Sequence, residues 1–372
     1  MSNESTPRIT VGLPVYKGAD LIGKALECLQ QQTFGNFEAI ISVDGNDAKT
    51  AAVCRPFLAD PRFRMVIHPK RLDWVGNFNW LLQQDLREFF CYRQHDDTTA
   101  PEFFEFLLQA ADKHPNAAAV YCDCQYSGTR SDREFAPSIE GEPLDRMLKC
   151  IEWMPVPAVR GLIRRAAIRH AGLVRVDEFR APMEVFVWLA KLSRWGSFRR
   201  ISKPLYYRLD QPRNYSSEFW RSAPERKRAV FTTLFTGFLE AAMPLCRTAE
   251  ERLFFQQSIA NPIFVDHLTK YGVNSSLEKL LAECLERLRY EGNTHLLRAE
   301  ELPHIVRGLR LRQKAERSKI RKVAYRIRQH SQMATFIYPT SQRRRVSYQI
   351  RRLLEQIKYK MSTLWLRRQV RN

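Results

Sequence analysis

No stretch of this chain approaches the roughly 18 uninterrupted apolar residues that a spanning helix needs, which argues against an integral membrane segment. Met1 to Arg8 is polar and lacks the apolar core of a signal peptide, so the expected location is the cytosol. Cys122 and Cys124 stand two apart in an apolar stretch, but no second close Cys/His pair accompanies them. Buried thiols are therefore expected rather than a zinc site, and disulfides are not expected in a reducing compartment. Gly12, Gly18 and Gly23 do not form the spaced glycine turn of a dinucleotide-binding strand, which disfavours a nicotinamide- or flavin-dependent oxidoreductase. The glycine- and basic-rich first loop of a nucleotidyltransferase is absent too. Aromatic residues are not interleaved with basic ones along a strand, as the common RNA-binding sheets require, and nucleic acid is not an expected partner. No internal repeat is present.

What the chain does have is the composition of a packed protein, with 44% hydrophobic and 27% charged residues over 372 positions, enough for two domains and an appendage. Its net charge of +20 is unevenly spread. From Glu301 to Asn372 there are 20 Lys/Arg against three Glu, a net +17 that leaves about +3 on everything before it. Such a tail selects polyanionic partners.

Short apolar runs alternate with helical patterns over the first 125 residues. Ile9 to Tyr16, Phe37 to Val43, Phe63 to Ile67, Phe89 to Gln94 and Ala117 to Cys124 read as strands. Leu21, Ala25, Leu26 and Leu29 recur at helical spacing, Phe78 to Leu86 reads as a helix, and Pro101 opens another that runs to about His114. This alternation predicts an α/β fold, a mainly parallel sheet with helices on both faces. Further on, Arg160 to Gly172 and Ala181 to Trp195 read as helices and Phe198 to Tyr207 as extended. From Ser216 the pattern is helical, with capping boxes at Ser222/Glu225, Thr248/Glu251 and Ser275/Glu278.

Ligands of open α/β sheets bind beyond the carboxyl ends of the strands. Tyr16, Asp44, Lys70-Arg71 and Asp96-Asp97 all fall there, so separate strands deliver a ring, two basic groups and three carboxylates to one rim. An acidic pair at a strand end suits Mg2+ or Mn2+ on a diphosphate, where hard oxygen ligands are shared between protein and phosphate.

The pieces Leu13-Pro14-Val15-Tyr16, Ile40 to Gly45, Gly76-Asn77-Phe78-Asn79, His95-Asp96-Asp97 with Pro101-Glu102-Phe103, Gly161 to Arg165 and Pro204 to Arg208 follow one another in this order. In that series the chain resembles the family 2 glycosyltransferases over about residues 8 to 217. The resemblance implies a Rossmann-like GT-A domain over 1–217; beyond it, the residue pattern and charge give a helical region over 218–300 and a basic amphipathic helical extension over 301–372. It implies transfer of a sugar from a nucleoside diphosphate sugar to an acceptor hydroxyl, metal-dependent and with inversion. Donor contacts would fall to Pro14, Tyr16, Asp44, Arg71 and Asp96, the last at the ribose, with Asp97 on the metal. Where the family usually has two adjacent acids this chain reads Val43-Asp44, which leaves base specificity open. Glu184 matches the carboxylate that takes the acceptor proton, with Asp177 and Glu178 as rivals. Many relatives place a metal-side His where this chain has Asp210, a second candidate ligand. A catalytically silent nucleotide-sugar-binding relative is the alternative.

Val346, Ile350, Leu353, Leu354, Ile357, Met361, Leu364 and Trp365 draw one stripe along a helix, with Arg344, Arg345, Arg351, Arg352, Lys358 and Lys360 mostly off it. A basic amphipathic helix of this kind suits an anionic membrane surface, which would bring the enzyme to a glycan or lipid-linked acceptor in cell-surface polysaccharide or glycolipid assembly. Packing of the stripe on the body or on a second subunit is the alternative.

Overall fold

The computed structural model describes residues 6–176, 178, 183–211, 219, 221–260, 263 and 276–311. The amphipathic stripe expected over 346–365 lies outside them. Strands β1 (Ile9–Val15), β2 (Phe37–Val43), β3 (Phe63–Ile67) and β4 (Phe89–Tyr92) form at the apolar runs, and β1 is buried throughout because helices cover both of its faces. Helices α1 (Ile22–Gln30), α2 (Ala48–Cys54) and α3 (Asp73–Leu82) connect them. The α1 stripe buries Ile22, Ala25, Leu26 and Leu29, and Asp47 caps α2 by accepting from the Thr50 amide at 3.1 Å.

After β4 come β5 (Thr98–Thr99), α4 (Phe103–Lys113), β6 (Ala117–Gly128), β7 (Arg133–Glu134), α5 (Pro143–Trp153), α6 (Val156–Val159), β8 (Leu162–Arg164), α7 (Arg165–Ala171), α8 (Glu184–Trp195) and β9 (Ser197–Asp210). Among the described residues the sheet runs β3-β2-β1-β4-β8-β6-β9-β5, with β7 added to β6. The β1–β2, β2–β3, β1–β4 and β6–β9 pairs are parallel, while β8 is antiparallel to both its neighbours. Alternate residues feed two cores. Phe89 and Cys91 face Leu26 and Phe103 on one side, and Phe90 and Tyr92 face Phe78 and Trp188 on the other.

Arg160 to Gly172, expected as one helix, instead holds β8 between α6 and α7. Short buried apolar runs fit strand and helix equally, and here the gap between β4 and β6 decides. Gly161 makes the insertion possible, because a Cβ there would lie 2.1 Å from the Val120 carbonyl oxygen.

The helical region consists of α9 (Pro224–Ala242), α10 (Ala249–Ala260) and α11 (Leu277–Tyr290), followed by helical residues 302–311. The Thr248/Glu251 box forms, with Thr248 Oγ1 accepting from the Glu251 amide at 3.1 Å and Glu251 accepting from the Thr248 amide at 3.3 Å. At α9 the cap is Ala223, and Ser222 donates instead to the Phe219 carbonyl. At α11 the capping residue is Ser276, which accepts from the Lys279 amide. Phe231, Leu234, Phe235 and Phe238 share one core with Met147 and Trp188, across the line expected at 217/218. Each such side chain stabilises the contact by roughly 1.5–3 kcal/mol. Ile305, Val306 and Leu309 join the same core. No helix among the described residues is long and apolar enough to cross a membrane.

Candidate active site

Loops from β1, β2 and β3 meet at the carboxyl rim. Tyr16 directly follows β1 and is 36% exposed, with the Arg71 guanidinium 4.1 Å and the Lys17 ammonium 5.3 Å from its ring centre. Arg71 is fixed from its other side by Asp73, at 3.0 Å. Asp44, buried at the end of β2, accepts from the Leu72 amide at 2.5 Å and so holds the loop that carries Arg71. Gly45, with φ of 77°, takes the left-handed backbone conformation that glycine adopts without strain, at the turn beside that loop. Beneath, Ser42 donates to Asn77 Oδ1 at 2.6 Å and accepts from His68 Nε2 at 2.8 Å, which ties β2, β3 and α3 together. Burial pulls the His68 pKa down despite the nearby Asp44 charge. Pro14, expected among the donor contacts, is buried inside β1 opposite Ser42, so the reach to the rim belongs to Tyr16.

The acidic pair lies beyond β4. Asp97 is only 2% exposed and turned inward, its Oδ2 accepting from the Tyr206 hydroxyl at 3.0 Å and from Arg160 Nε at 3.5 Å, its Oδ1 from the Leu209 amide at 3.2 Å. Arg160 is itself buried and also donates to Gln94 Oε1 at 2.6 Å. Burial acts to lower the Arg160 pKa, but Tyr206 and Asp97 outweigh it and the guanidinium is held above its ordinary value. Asp96 is half-buried and makes no side-chain hydrogen bond to another residue among the described residues. Desolvation first, and the Asp97 charge second, raise its pKa. The pair is thus divided, one carboxylate built into the scaffold and the other left facing the rim.

Two of these residues escaped the sequence reading. Arg160 and Tyr206 stand beside or inside motif blocks, and a polar group within an apolar run was the available signal. Arg93 is a third, a fully buried cation at the end of β4. It donates to Thr99 Oγ1 at 2.9 Å and lies 5.2 Å from the Phe103 ring centre and 5.1 Å from that of Tyr206, while its Nε and Nη1 have no hydrogen-bond partner among the described residues. Desolvated cation–π contacts of this kind are worth about 2 kcal/mol.

Glu184 is the first residue of α8 and 1% exposed, but it is not free to accept a proton. Arg175 grips both its oxygens, with Nε to Oε2 at 3.0 Å and Nη2 to Oε1 at 3.2 Å. The same guanidinium reaches Glu240 at 3.2 Å and the Thr233 carbonyl at 2.8 Å on α9, through space that Gly237 leaves open. A carboxylate in a two-point ion pair is a weak base, so this geometry makes a structural tie of the residue for which the resemblance implied a general base. Glu178 is exposed and pairs with Arg287 at 3.1 Å, and Asp177 lies outside the described residues. Asp210 closes β9 opposite Gly128, and its carboxylate accepts from the Thr129 hydroxyl. It does not gather with Asp96 and Asp97, since no group of three His, Cys, Asp or Glu side chains able to hold a metal occurs among the described residues.

Residues 10–170 match the family model described as Glycosyl transferase family 2. An uncharacterized protein of Sinorhizobium fredii is 28% identical over 140 residues, 36% of this chain and 15% of that one. An uncharacterized glycosyltransferase of Rickettsia typhi is 27% identical over 122 residues, 32% of this chain and 37% of that one. The chain thus spans well under half the length of these relatives. Among solved structures, S. aureus TarS superposes with a TM-score of 0.57 at 15% identity, over 80% of this chain and 52% of that one. TarS 1-349 in complex with UDP gives 0.55 at 16% identity over 82% and 91%, and its complex with UDP-GlcNAc gives 0.51 at 15% identity over 82% and 92%. Likeness at this identity carries the fold, which is GT-A.

Glu184→Gln is expected to lower stability by about 2–3 kcal/mol, somewhat below the figure for a fully buried broken pair because Arg175 keeps Glu240. Urea unfolding of the purified variant measures it, and an unchanged midpoint would rule out the tie. Asp96→Asn should act the other way. A carboxyl group whose pKa is raised on folding binds more protons folded than unfolded between its ordinary and its raised value, so its contribution falls as pH rises through that window. The variant should therefore melt above the parent at neutral pH, and the gain should disappear at a pH low enough to protonate Asp96. Thermal melts at two pH values decide it.

Proposed function

Since residues 10–170 match the model described as Glycosyl transferase family 2, we propose that the chain moves a sugar from a nucleoside diphosphate sugar to an acceptor hydroxyl, with inversion at the anomeric carbon. The observation that carries the reading is the single rim with Tyr16, Asp44 and Arg71 at one end and Asp96-Asp97 at the other. A flat ring with a cation above it and an acid beside it suits a nucleobase, and an acidic pair at the next strand end suits a metal-bound diphosphate. The TarS complexes with UDP and UDP-GlcNAc support a donor of this class.

The residues present fit Mg2+ or Mn2+. Asp96 is a desolvated carboxylate beside a like charge, and Arg160, the nearby cation, is committed to Asp97. Asp96 would carry the cation, with the remaining lone pairs of the fixed Asp97 behind it. Bound there, the metal would offset charge on the departing diphosphate. Asp97 keeps the loop in register, and Tyr16 and Arg71 orient the base. With Glu184 engaged by Arg175, the candidates for the acceptor proton are Asp177 and, though paired at the surface with Arg287, Glu178, the acids that ranked next in the sequence. The same engagement is the specific observation behind a second reading, a relative that binds donor without turning it over.

A panel of nucleoside diphosphate sugars, each with and without Mn2+, separates these readings. The expected result is metal-dependent release of nucleoside diphosphate from one donor, reduced at least a hundredfold by Asp97→Ala. Tight binding without release would favour the silent relative, and no binding of any donor would end the proposal. We further propose that residues 301–372, with their net +17, draw the protein to the inner face of an anionic membrane, where a lipid-linked acceptor in cell-surface glycan assembly would be presented. Co-sedimentation of the full chain with phosphatidylglycerol vesicles at low salt is expected, and retention in the supernatant refutes it.

A further inference from the structure

Between the base end and the acidic pair the rim carries one aromatic surface that the proposed reaction has not used. Trp74, the second residue of α3, stands three positions after Arg71. Its indole Nε1 donates at 2.8 Å to the hydroxyl of Tyr92, the last residue of β4 and four before Asp96. The indole therefore spans from the loop that orients the base to the strand end that presents the acids. Phe78 lies parallel beneath it, 5.4 Å away with planes 5° apart, and Tyr92 meets it edge-on at 6.0 Å. Phe78, Tyr92 and Trp188 are buried behind it, whereas Trp74 is only partly buried. The ring is thus held at a face, an edge and its one polar atom, with part of its surface left to solvent.

Its chemistry differs from that of the other aromatic on the rim. Tyr16 has cations against its ring, from Arg71 and Lys17, while among the described residues none lies over Trp74. Phosphates need charge, but a pyranose ring presents a patch of C–H bonds that rests best on a rigid, uncharged aromatic surface.

We infer that Trp74 is a specificity-determining wall against which the apolar face of the donor's pyranose rests, with Tyr92 as the positioning residue that fixes its orientation. This rests on the donor class proposed above. The test is calorimetric binding of two ligands to the full chain with Mn2+: the nucleoside diphosphate alone, and the nucleoside diphosphate sugar selected by the panel. Trp74→Ala is expected to weaken the sugar-bearing ligand about tenfold, the upper range for one aromatic contact, and to leave the bare diphosphate within twofold. Tyr92→Phe should give a smaller loss of the same selectivity, and Trp74→Phe should retain most of the affinity. Equal loss for both ligands, or none, overturns the inference while leaving the donor reading intact, whereas a parent that binds neither ligand overturns both. Saturation-transfer NMR on the parent needs no variant to fold, and pyranose ring protons that receive no transfer overturn the inference as well.

Discussion

The carboxylate of Asp97 is the point at which three distant pieces of chain are joined. Arg160 is 63 residues away, Tyr206 is 109 and Leu209 is 112, and each donates to one of two oxygens. Those donors come from the turn before β8 and from the end of β9, so a single buried acid registers the loop after β4 against strands formed much later in the chain. Burying a charge is tolerable only when its lone pairs are satisfied, and Asp97 is satisfied by a cation, a hydroxyl and an amide together. Its neighbour in sequence is desolvated too, and there the charges of His95 and Arg160 and a hydrogen bond to its own backbone only partly offset burial and the Asp97 charge. The site is therefore asymmetric by construction, with rigidity in one carboxylate and chemical need in the other.

A second ion-pair cluster, built on the half-buried Arg175 and the buried Glu184, ties the helical region in. Arg175 holds Glu184 at the start of α8 and Glu240 on α9 at once, and it also caps a backbone carbonyl of α9. The helical region is thereby keyed into the α/β body through polar contacts as well as through the shared apolar core. A change in α9 would be felt at the head of α8.

Much of this was legible in the sequence, and the residues show why the rest was not. The rim was readable because strand ends are marked by local signals: an apolar run, then a polar residue, as at Tyr16, Asp44 and Asp96. The Thr248/Glu251 box was readable for the same reason. β8 was not, because three residues carry no period of their own and only the gap between β4 and β6 makes them a strand. The inward turn of Asp97 and the engagement of Glu184 were hidden for a different reason. A carboxylate looks the same in sequence whether its partner is a substrate or an arginine, and Glu240 lies 65 residues beyond Arg175, the cation it shares with Glu184. Pro14 illustrates the converse, since it shares a short motif with the half-exposed Tyr16 yet lies buried within β1.

The long strand β9 has an implication for how molecules of this protein meet one another. Its outer side is closed piecemeal: the segment at Ile139 bonds to both backbone groups of Phe198, Ser138 takes the Arg200 amide, and β5 takes Tyr206 and Tyr207. Between those patches stand Lys203 and Pro204, a charge and a residue with no amide hydrogen to give. An edge finished in this way offers no continuous ladder to a foreign strand, so growth of the sheet from molecule to molecule is blocked at this border by the same segment that brings Tyr206 and Leu209 to the acid they hold.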